Sequence, residues 1–453
     1  MLDKSIRQHI LVIGLGISGR SAARFLLNKN AFVYAVDHQI KELQKLPEVK
    51  QLVAKGMIVI EEELHLDLST IDFIILSPGI SKTHSLVKKA EKIGIKVIGE
   101  MELGCHFLTQ SVLGITGTNG KTTVTLLVDH ILNYCKLATK AAGNIGAPLT
   151  DEINKNPFCS KNFVLELSSY QLETMEQKVL DAALLLNITP DHLDRYSTLT
   201  HYAASKVKIA SCLKSNGLFF VQYETWKNFA NLFQNIAVQT YGYSKNASIY
   251  CDLTAIYHAD QVFELPNALK GRPSHDLENL MAAYALCSVK KIEGKRCIEA
   301  YSTFQKPPHR IQFIAQINGV RYYDDSKGTN LDAVICAIKA FNAPIFLIAG
   351  GLHKGQSFGS WIAPFLGRVK KIFAIGQAAT LIYQEIHPKI SVEIVNSLQE
   401  ATYQAALEAK NGEIVLLSPG CASQDMFKDY MHRGQVFQQT VQSLANKEKI
   451  KNV

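Results

Sequence analysis

Short apolar runs alternate with helical stretches from the start of the chain. The run HILVIG at 9–14 is followed by a helical stretch, SGRSAARFLL, at 18–27. The same rhythm continues through the apolar runs AFVYAVD at 31–37, DFIILSPG at 72–79 and IKVIGE at 95–100. This alternation is typical of a parallel sheet flanked by helices. The first part of the chain is therefore predicted to be an α/β domain.

The pattern fades near residues 104–106 and then begins twice more. A second cycle, between residues 112 and 222, contains VLGITG, FVLELSS, DAALLLNITP and NGLFFVQ. A third opens after residues 306–308 with IQFIAQINGVRYYDD, a predicted hairpin that turns at Asn318-Gly319. It continues through APIFLIAGG, KKIFAIG and EIVLLSPG. We therefore predict three α/β domains on largely parallel sheets: 1–100 (Rossmann-like), 101–307 and 308–453 (Rossmann-like).

Composition is typical of a globular protein, since 47% of the residues are hydrophobic and 19% are charged. The sequence shows neither a signal-peptide pattern nor an apolar run long enough for a bilayer, so we expect a cytoplasmic protein without a membrane partner. The nine cysteines form no zinc-like spacing, which indicates small core residues. The formal net charge of +8 is spread thinly; it fits small anionic substrates better than nucleic acid, or is simply a solvated surface.

A glycine-rich loop, Gly14-Leu-Gly-Ile-Ser-Gly19, follows the first strand and opens a helix. Glycines at this spacing allow a tight turn and let a phosphate approach the N–H groups of the helix start. Asp37 closes the next strand, where an acid can bind sugar hydroxyls. By itself the motif indicates NAD, NADP or another nucleotide, or a purely structural turn.

A second glycine loop, Gly117-Thr-Asn-Gly-Lys-Thr122, lies between the strand VLGIT and the helical stretch VTLLVDHIL. In a phosphate loop with this order, backbone N–H groups surround the phosphates, Lys121 neutralises their charge and the Thr122 hydroxyl reaches magnesium. The motif departs from the strict pattern, because Ile115 stands six residues before Lys121. We predict that this loop binds phosphate and that the central domain is an ATPase-type domain.

The stretch GTNGKTT at 117–123, together with LELSS, NITPDHLDRY, HDLEN, PHR and DDSKGTN, resembles the Mur ligase family over nearly the whole chain. The resemblance implies three domains and an ATP-dependent reaction that joins a carboxylate to an amine through an acyl phosphate, in the synthesis of bacterial cell-wall precursors. Within the family, DSKGTN at 325–330 and SPGCASQDMF at 418–427 resemble the branch that adds D-glutamate to UDP-N-acetylmuramoyl-L-alanine. The first loop would then hold the UDP part of one substrate, and the second would hold ATP.

The resemblance also assigns the groups around ATP. Two Mg²⁺ ions are implied, and their ligands would be Thr122, Glu166, His192 and a Lys206 carbamylated by carbon dioxide. The implied catalytic residues are Lys121, His192 and Lys206. The implied nucleotide contacts are Gly117, Thr118, Asn119, Gly120, Lys121, Thr122, Thr123, Asn279, Arg310 and Asp325, with Lys327 as a further phosphate contact. By pattern alone, Lys206 cannot be separated from the neighbouring Lys208, and His192 looks like an ordinary histidine in a turn.

Substrate contacts are implied in the first, central and third domains. Those for D-glutamate are Thr329, Lys354, Ser423 and Tyr430, and those for the UDP-linked substrate are Ser18, Asp37, Gly79 and Asn144. Some positions depart from the family pattern: Asp276 stands where an asparagine is usual, and a carboxylate accepts but cannot donate. Leu352 and His353 also depart, in the loop that carries Lys354. Gly79 and Asn144 equally suit turns that serve the local backbone.

Other functions stay open at this point. Another amino-acid-adding Mur ligase or a folate polyglutamate synthase would keep the chemistry with a different acceptor. A dinucleotide-dependent oxidoreductase would explain the first loop and Asp37 but not the second loop. A non-catalytic or motor-type ATPase would explain the second loop alone. For the ligase we expect small-molecule partners only and a monomeric chain.

Overall fold

The structure is a computed structural model that describes residues 7–61, 66–155, 161–192, 195–271, 274–355 and 357–451. The chain divides into two compact units. Unit 1 comprises the chain up to residue 188 together with 203–304, and unit 2 comprises 189–202 and the chain from 305 onward. Among the described residues, no helix combines the length and the apolar character needed to cross a membrane.

The first sheet of unit 1 is built from the strand-helix rhythm of the N-terminal residues. Its elements are β1 (His9–Ile13), α1 (Ile17–Asn28), β2 (Phe32–Val36), α2 (Ile40–Leu43), α3 (Pro47–Ala54), β3 (Ile58–Val59), β4 (Phe73–Leu76), α4 (Ser85–Lys92), β5 (Lys96–Gly99) and α5 (Glu100–Cys105). The described strands are all parallel, in the order β3-β2-β1-β4-β5. Ile10 and Val12 pack on one face and Leu11 and Ile13 on the other. Because β1 is buried on both faces, its sequence is a continuous apolar run.

The second sheet of unit 1 is larger and carries an antiparallel extension. Its elements are β6 (Val112–Thr116), α6 (Lys121–Tyr134), β7 (Thr139–Gly143), α7 (Leu149–Lys155), β8 (Asn162–Glu166), α8 (Ser169–Leu172), β9 (Leu180–Leu185), α9 (Leu199–Val207), β10 (Leu213–Gln222), α10 (Tyr223–Asn228), β11 (Gln239–Gly242), β12 (Ile249–Cys251), β13 (Ala255–His258), β14 (Gln261–Glu264), α11 (His275–Ser288) and α12 (Gly294–Thr303). Of these, α9 begins in the 189–202 segment of unit 2 and ends in unit 1. Within the described ranges the order is β14-β13-β12-β11-β10-β9-β6-β8-β7. Neighbouring strands from β6 to β12 are parallel to each other, whereas β13 is antiparallel to both of its neighbours, β12 and β14. The predicted central strands are confirmed, whereas β7 and β11 to β14 were not predicted.

Unit 2 contains the third sheet. Its elements are β15 (Gln312–Ile317), β16 (Val320–Asp324), α13 (Leu331–Lys339), β17 (Ile345–Gly350), α14 (Ile362–Phe365), β18 (Val369–Ile375), α15 (Ala379–Ile386), β19 (Ser391–Ile394), α16 (Leu398–Glu408), β20 (Ile414–Leu417) and α17 (Tyr430–Lys451). The described strands follow the order β15-β16-β20-β17-β18-β19, and only the β15–β16 pair among them is antiparallel. Asn318 (φ 49°) and Gly319 (φ 79°) form the turn of that pair, as the sequence predicts.

The loops of interest leave the carboxyl ends of neighbouring strands. In unit 1 the order β9-β6-β8 brings Asn187, the loop 117–120 and Glu166 to one edge of the second sheet. In unit 2 the neighbours β16, β20 and β17 end at Asp324, Leu417 and Gly350. The stretches DSKGTN, SPGCAS and GGLHKG therefore share one edge of the third sheet. Carboxyl edges of parallel sheets are where α/β proteins bind their ligands.

Candidate active site

The first glycine loop is held by close backbone contacts. Gly14 has a φ of 89°, and the Ser77 hydroxyl donates to its carbonyl at 2.7 Å. A Cβ on Gly19 would lie 1.9 Å from the Gly14 carbonyl oxygen, so glycine is required where α1 crosses the loop. Asp37 accepts from the N–H of Leu15 at 2.7 Å and so ties the end of β2 to the loop. These contacts fix the N-terminus of α1 at the carboxyl edge of the sheet.

A cavity of about 560 Å³ opens beside this loop. Its volume lies within the range of small-molecule sites, about 300–1,000 Å³. The four residues predicted to contact the UDP-linked substrate all line it: Ser18, Asp37, Gly79 and Asn144. The last of these comes from the second sheet, so the cavity lies between the two sheets of unit 1.

The second glycine loop joins β6 to α6 through two glycines with positive φ, Gly117 at 152° and Gly120 at 85°. A Cβ on Gly117 would lie 2.8 Å from the Leu186 Cβ, which leaves no room for a larger residue. Helix α6 begins at Lys121, whose ammonium donates to the Gly117 and Thr118 carbonyls, both at 2.9 Å. A helix N-terminus directs backbone N–H groups at an anion. The loop therefore has the shape and the cation of a phosphate cradle.

Glu166 is the last residue of β8 and is only 2% exposed. Its Oε1 accepts from the Asn144 side-chain amide at 2.8 Å. Its Oε2 is buried and has no hydrogen-bond partner among the described residues. Burial of such an oxygen is costly unless a cation binds it, so this donor fits a divalent ion. Across the same described ranges, no group of three or more His, Cys, Asp or Glu side chains forms a metal-binding cluster.

The two neighbouring lysines of the α9 region have different surroundings. Lys206 is 1% exposed and donates to the Gly117 carbonyl at 2.7 Å. Lys208 is half-buried and donates instead to the Glu173 carbonyl at 2.7 Å, and burial lowers the pKa of its ammonium. The structure thus shows that Lys206, and not Lys208, lies at the phosphate loop, a distinction that the sequence pattern does not make.

Helix α11 brings the HDLEN stretch to the phosphate loop. The Ser274 side chain caps this helix. A Cβ built on Gly120 would lie 3.0 Å from the Asn279 Oδ1, so the Asn279 side chain lies against the loop. Asp276 lies in the first turn, where its Oδ1 is 3.3 Å from the Nε2 of His275. Asn279 therefore lies at the loop where the resemblance expects a nucleotide contact.

In unit 2, Asp325 directly follows β16 and is buried. Its Oδ2 accepts from the Ser418 hydroxyl at 2.7 Å, and its Oδ1 accepts from the Ile311 N–H at 3.3 Å. Burial raises the pKa of Asp325 to about 7, against the lowering effect of these hydrogen bonds and of the Arg310 charge. A carboxyl group with a perturbed pKa at a strand end is typical of a functional site. Asp325 and Arg310 are thus close enough for their charges to interact.

The loops predicted to bind D-glutamate lie against each other in unit 2. Leu352 and Ala422 form an antiparallel bridge, with the Leu352 N–H donating at 2.9 Å, so the GGLHKG and SPGCAS loops are paired. The Lys354 ammonium donates to Asp191 Oδ1 at 3.2 Å. The N–H of His192 donates to the same oxygen at 3.0 Å. Asp191 therefore brings Lys354 and the predicted metal ligand His192 together.

The other predicted contacts of unit 2 lie in the same loops. Ser423 is 2% exposed. Thr329 is half-buried and precedes Asn330, whose side chain caps α13. Tyr430 begins α17, and the Lys327 ammonium lies 4.1 Å from the centre of its ring. Residues 193 and 194 of the NITPDHLDRY stretch lie outside the described residues.

Arg433 is a buried residue that joins two of the predicted site loops, a role that the sequence does not reveal. It is 1% exposed, and burial lowers the pKa of its guanidinium to about 10. Its Nε and one terminal nitrogen donate to the hydroxyl and carbonyl of Ser326 at 3.0 and 2.9 Å. Both terminal nitrogens donate to the Cys421 carbonyl at 3.2 Å. Arg433 thus joins the DSKGTN and SPGCAS loops, yet in sequence it resembles a surface arginine near a helix start.

A role for Asn187 is also not predicted from the sequence, although this residue begins the stretch NITPDHLDRY. Its side-chain amide pairs with both backbone groups of Asn119 in the phosphate loop. A polar residue just after a strand is usually a turn residue, so nothing in the local pattern marks this contact. The partner lies 68 residues earlier in the chain.

Fold and site together define a phosphate-loop protein of three α/β sheets. Comparison with protein families then gives three matches: residues 8–99 to "Mur ligase MurD-like, N-terminal domain", 115–287 to "Mur ligase middle domain", and 309–421 to "Mur ligase, glutamate ligase domain". The chain belongs to the Mur ligase family, as the resemblance of its motifs implies.

The chain is similar to curated proteins over nearly its full length. One from Protochlamydia amoebophila, "UDP-N-acetylmuramoylalanine--D-glutamate ligase", is 50% identical over 96% of this chain and 98% of its own. A protein of the same name from Caldanaerobacter subterraneus is 36% identical over 96% and 98%.

Solved structures confirm the fold. A MurF ligase from Thermotoga maritima in complex with ADP aligns with a TM-score of 0.60 at 16% identity, covering 98% of both chains. The UDP-N-acetylmuramate-alanine ligase MurC from Thermotoga maritima aligns with a TM-score of 0.59 at 16% identity, covering 96% of this chain and all of that one.

Proposed function

We propose that this protein is an ATP-dependent ligase that joins D-glutamate to UDP-N-acetylmuramoyl-L-alanine in peptidoglycan precursor synthesis. The observation that carries the proposal is the position of Asn144. It lines the cavity beside the first glycine loop, and its amide donates to Glu166 beside the phosphate loop. A UDP-linked substrate in that cavity would therefore extend toward the phosphates of ATP. The 50% identical relative carries the name of this activity.

The proposed reaction proceeds in two steps. The substrate carboxylate attacks the terminal phosphorus of ATP, which forms an acyl phosphate and releases ADP. The amine of D-glutamate then attacks the acyl carbon, loses a proton and displaces inorganic phosphate as the amide bond forms. Negative charge gathers at the phosphoryl group, and the N–H groups at the start of α6 together with Lys121 would offset it.

Magnesium fits the same place. Mg²⁺ is usually held by one or two carboxylates together with substrate phosphates and waters, and it would neutralise phosphate charge. The unsatisfied Oε2 of Glu166 supports a ligand role for that residue. The full proposed ligand set is Thr122, Glu166, His192 and a carbamylated Lys206. Carbamylation adds carbon dioxide to the neutral amine of Lys206 and releases a proton, which leaves an oxygen donor with one N–H.

The proposed contacts to D-glutamate and the remaining contacts to ATP are those that the family resemblance implies. Thr329, Lys354, Ser423 and Tyr430 bind the amino acid, and Arg310 and Asp325 bind the nucleotide. The pairing of the GGLHKG and SPGCAS loops supports a common amino-acid site. We retain the boundaries 1–100, 101–307 and 308–453 for the UDP-substrate, ATP and amino-acid domains.

Phosphate release tests the proposal. MgATP and UDP-N-acetylmuramoyl-L-alanine are supplied with D-glutamate, L-glutamate or no amino acid, and Lys121→Ala serves as the inactive control. We expect release only with the UDP-linked substrate and D-glutamate together. Release with another amino acid or acceptor would assign a sibling ligase or a folate polyglutamate synthase. Release that ignores both substrates would support the simple ATPase, and saturable NADH binding would revive the oxidoreductase interpretation of the first loop.

A further inference from the structure

Asn187 makes three hydrogen bonds to two consecutive residues of the phosphate loop. It lies two residues beyond the end of β9. Its Oδ1 accepts from the Asn119 N–H at 2.8 Å, and its Nδ2 donates to the Asn119 carbonyl at 3.1 Å. Its own carbonyl accepts from the Thr118 N–H at 2.8 Å. One residue therefore holds the first half of the loop.

These bonds continue the pairing of β6 with β9 beyond the last strand residues. Thr116 pairs with Leu185, and the Leu186 N–H donates to the Thr116 carbonyl at 3.0 Å. After the turn at Gly117, one main-chain bond from the Thr118 N–H to the Asn187 carbonyl still joins the two segments. The Asn187 amide then supplies one donor and one acceptor, as a peptide group would. The loop consequently stays attached to β9.

The attachment sets which groups face a phosphate. The N–H groups of Thr118 and Asn119 are directed at Asn187, so the loop presents the residues from Gly120 onward, at the start of α6. We propose that Asn187 is a positioning residue for ATP, which acts by fixing the Asn119 peptide and so preorganising the phosphate loop. This inference rests on the ATP-binding function proposed above. Preorganised donors contribute most when they need no rearrangement as the anion binds.

The variant Asn187→Asp tests the proposal with little change of shape. A carboxylate still accepts from the Asn119 N–H but cannot donate to the Asn119 carbonyl, and its second oxygen would face that carbonyl. Asn133→Asp is the matched control, because Asn133 makes the same kind of amide pairing at the other end of α6. Its Oδ1 accepts from the Thr139 N–H at 3.2 Å, and its Nδ2 donates to the Thr139 hydroxyl at 2.9 Å.

The readouts are the Kd of MgADP by calorimetry and the KM of each substrate. We expect Asn187→Asp to raise the Kd of MgADP and the KM of ATP by about tenfold or more, the scale of a lost supporting hydrogen bond at a site. The KM values of the UDP-linked substrate and D-glutamate should stay within about twofold, and Asn133→Asp should leave all four constants unchanged. Unchanged MgADP binding in Asn187→Asp, or an equal rise of all three KM values, overturns the proposal. A wild-type protein that binds no MgADP overturns the proposed function instead.

Hydrogen exchange of the wild-type protein gives an answer that does not depend on the variant folding. With no nucleotide added, the Asn119 amide should exchange slowly, because it already donates to Asn187. Exchange at the rate of an exposed loop would overturn the proposal.

Discussion

Two lysine ammonium groups converge on one carbonyl oxygen in this protein. Lys121 and Lys206 donate to the Gly117 carbonyl at 2.9 and 2.7 Å. Like charges placed this close repel each other, most strongly where water is excluded, as at the buried Lys206. A phosphate between them or carbamylation of Lys206 would relieve that repulsion. ATP binding at the loop and the carbamate on Lys206 are both part of the proposed function.

Replacement of Lys121 by alanine should abolish ATP turnover while leaving the fold intact. The ammonium offsets charge on the transferred phosphoryl group, so its loss should lower kcat/KM by about 10²- to 10³-fold or more. Coupled phosphate release measures the effect, and circular dichroism checks the fold. Turnover near the wild-type level in a folded variant would exclude this lysine from catalysis.

Lys206 should require carbon dioxide for its role. Phosphate release should fall when bicarbonate is removed and recover when it is restored, and labelled bicarbonate should give a carbamate signal by NMR that Lys206→Ala lacks. Lys208→Ala is the matched control and should keep both the signal and the activity, because its ammonium donates to the Glu173 carbonyl instead. Full activity in Lys206→Ala would rule out the carbamate.

At the scale of elements, the turn from β1 to α1 depends on the closeness of two glycines. A Cβ on Gly19 would lie 1.9 Å from the Gly14 carbonyl oxygen, whereas a Cβ on Gly16 meets nothing within 4 Å. The Gly14 carbonyl is a backbone group, so it cannot move aside for a Cβ as the end of a flexible side chain can. The helix is therefore held against the strand by the absence of a side chain at one position.

Gly19→Ala should destabilise the first sheet by about 1–3 kcal/mol, the usual cost of forced overpacking. The melting temperature of the variant should fall clearly below that of wild type. Gly16→Ala should cost about 1 kcal/mol or less, because its Cβ meets nothing within 4 Å and only the preference of a helix N-cap for glycine over alanine is lost. Equal melting temperatures for the two variants would contradict the packing argument.

A buried acid links the helices between the two sheets of unit 1. Glu100 of α5 is 2% exposed and accepts from both the N–H and the hydroxyl of Thr150 in α7 at 2.7 Å. The Ser21 hydroxyl of α1 lies 2.6 Å from the same threonine hydroxyl. Burial raises the pKa of Glu100 to about 7 from its ordinary 4.5, against the effect of the two hydrogen bonds. Protonation of one side chain is thereby coupled to the contact of three helices.

This coupling predicts a pH dependence of stability. Because the pKa of Glu100 is raised in the folded state, the folded protein keeps a proton that the unfolded chain releases between pH 4.5 and about 7. The contribution of Glu100 to the free energy of unfolding therefore falls as pH rises through this window, and it is constant above about pH 7. Glu100→Gln keeps the acceptor and removes the titration. Near pH 8 it should be the more stable protein by on the order of 3 kcal/mol at most, with a smaller difference near pH 5. Melting temperatures at both pH values test this, with the exposed Glu42→Gln as control; parallel curves for wild type and Glu100→Gln would contradict it.

At the scale of the whole molecule, the chain forms two compact units with separate cores. The cavity that brings Ser18, Asp37, Gly79 and Asn144 together belongs entirely to unit 1. Multidomain proteins often unfold in more than one step. Ligands that bind one unit stabilise that unit by mass action.

Calorimetry should therefore show more than one unfolding transition. UDP-N-acetylmuramoyl-L-alanine at about a hundred times its Kd should stabilise unit 1 by about 2.7 kcal/mol and raise its transition, while the transition of unit 2 stays in place. Limited proteolysis at intermediate temperature identifies which unit has unfolded. A single transition, or equal shifts of both, would contradict independent binding by unit 1.

The sequence by itself determined the class of fold, the loops and the family. A parallel strand that is buried on both faces appears in the sequence as a contiguous apolar run, as HILVIG and VLGITG do. This signal is the same whatever the order of the strands in the sheet. The two glycine loops and Lys121 are also contiguous motifs, since the turn and the helix that follow are built by adjacent residues. Short edge strands such as β7, with the sequence TKAAG, carry no such signal and were missed.

Only the tertiary structure decided which distant residues meet. It separated Lys206 from Lys208, joined Asn144 to Glu166, and placed Asn187 on Asn119 and Arg433 on Ser326. The hydrogen bonds behind these findings, from Lys206 to Gly117, Asn144 to Glu166, Asn119 to Asn187 and Arg433 to Ser326, each join residues 22 or more apart along the chain. Such contacts depend on strand order and helix placement, which hydrophobic packing of the whole chain selects. A single polar side chain contributes too little to that packing to mark its own partner in the sequence.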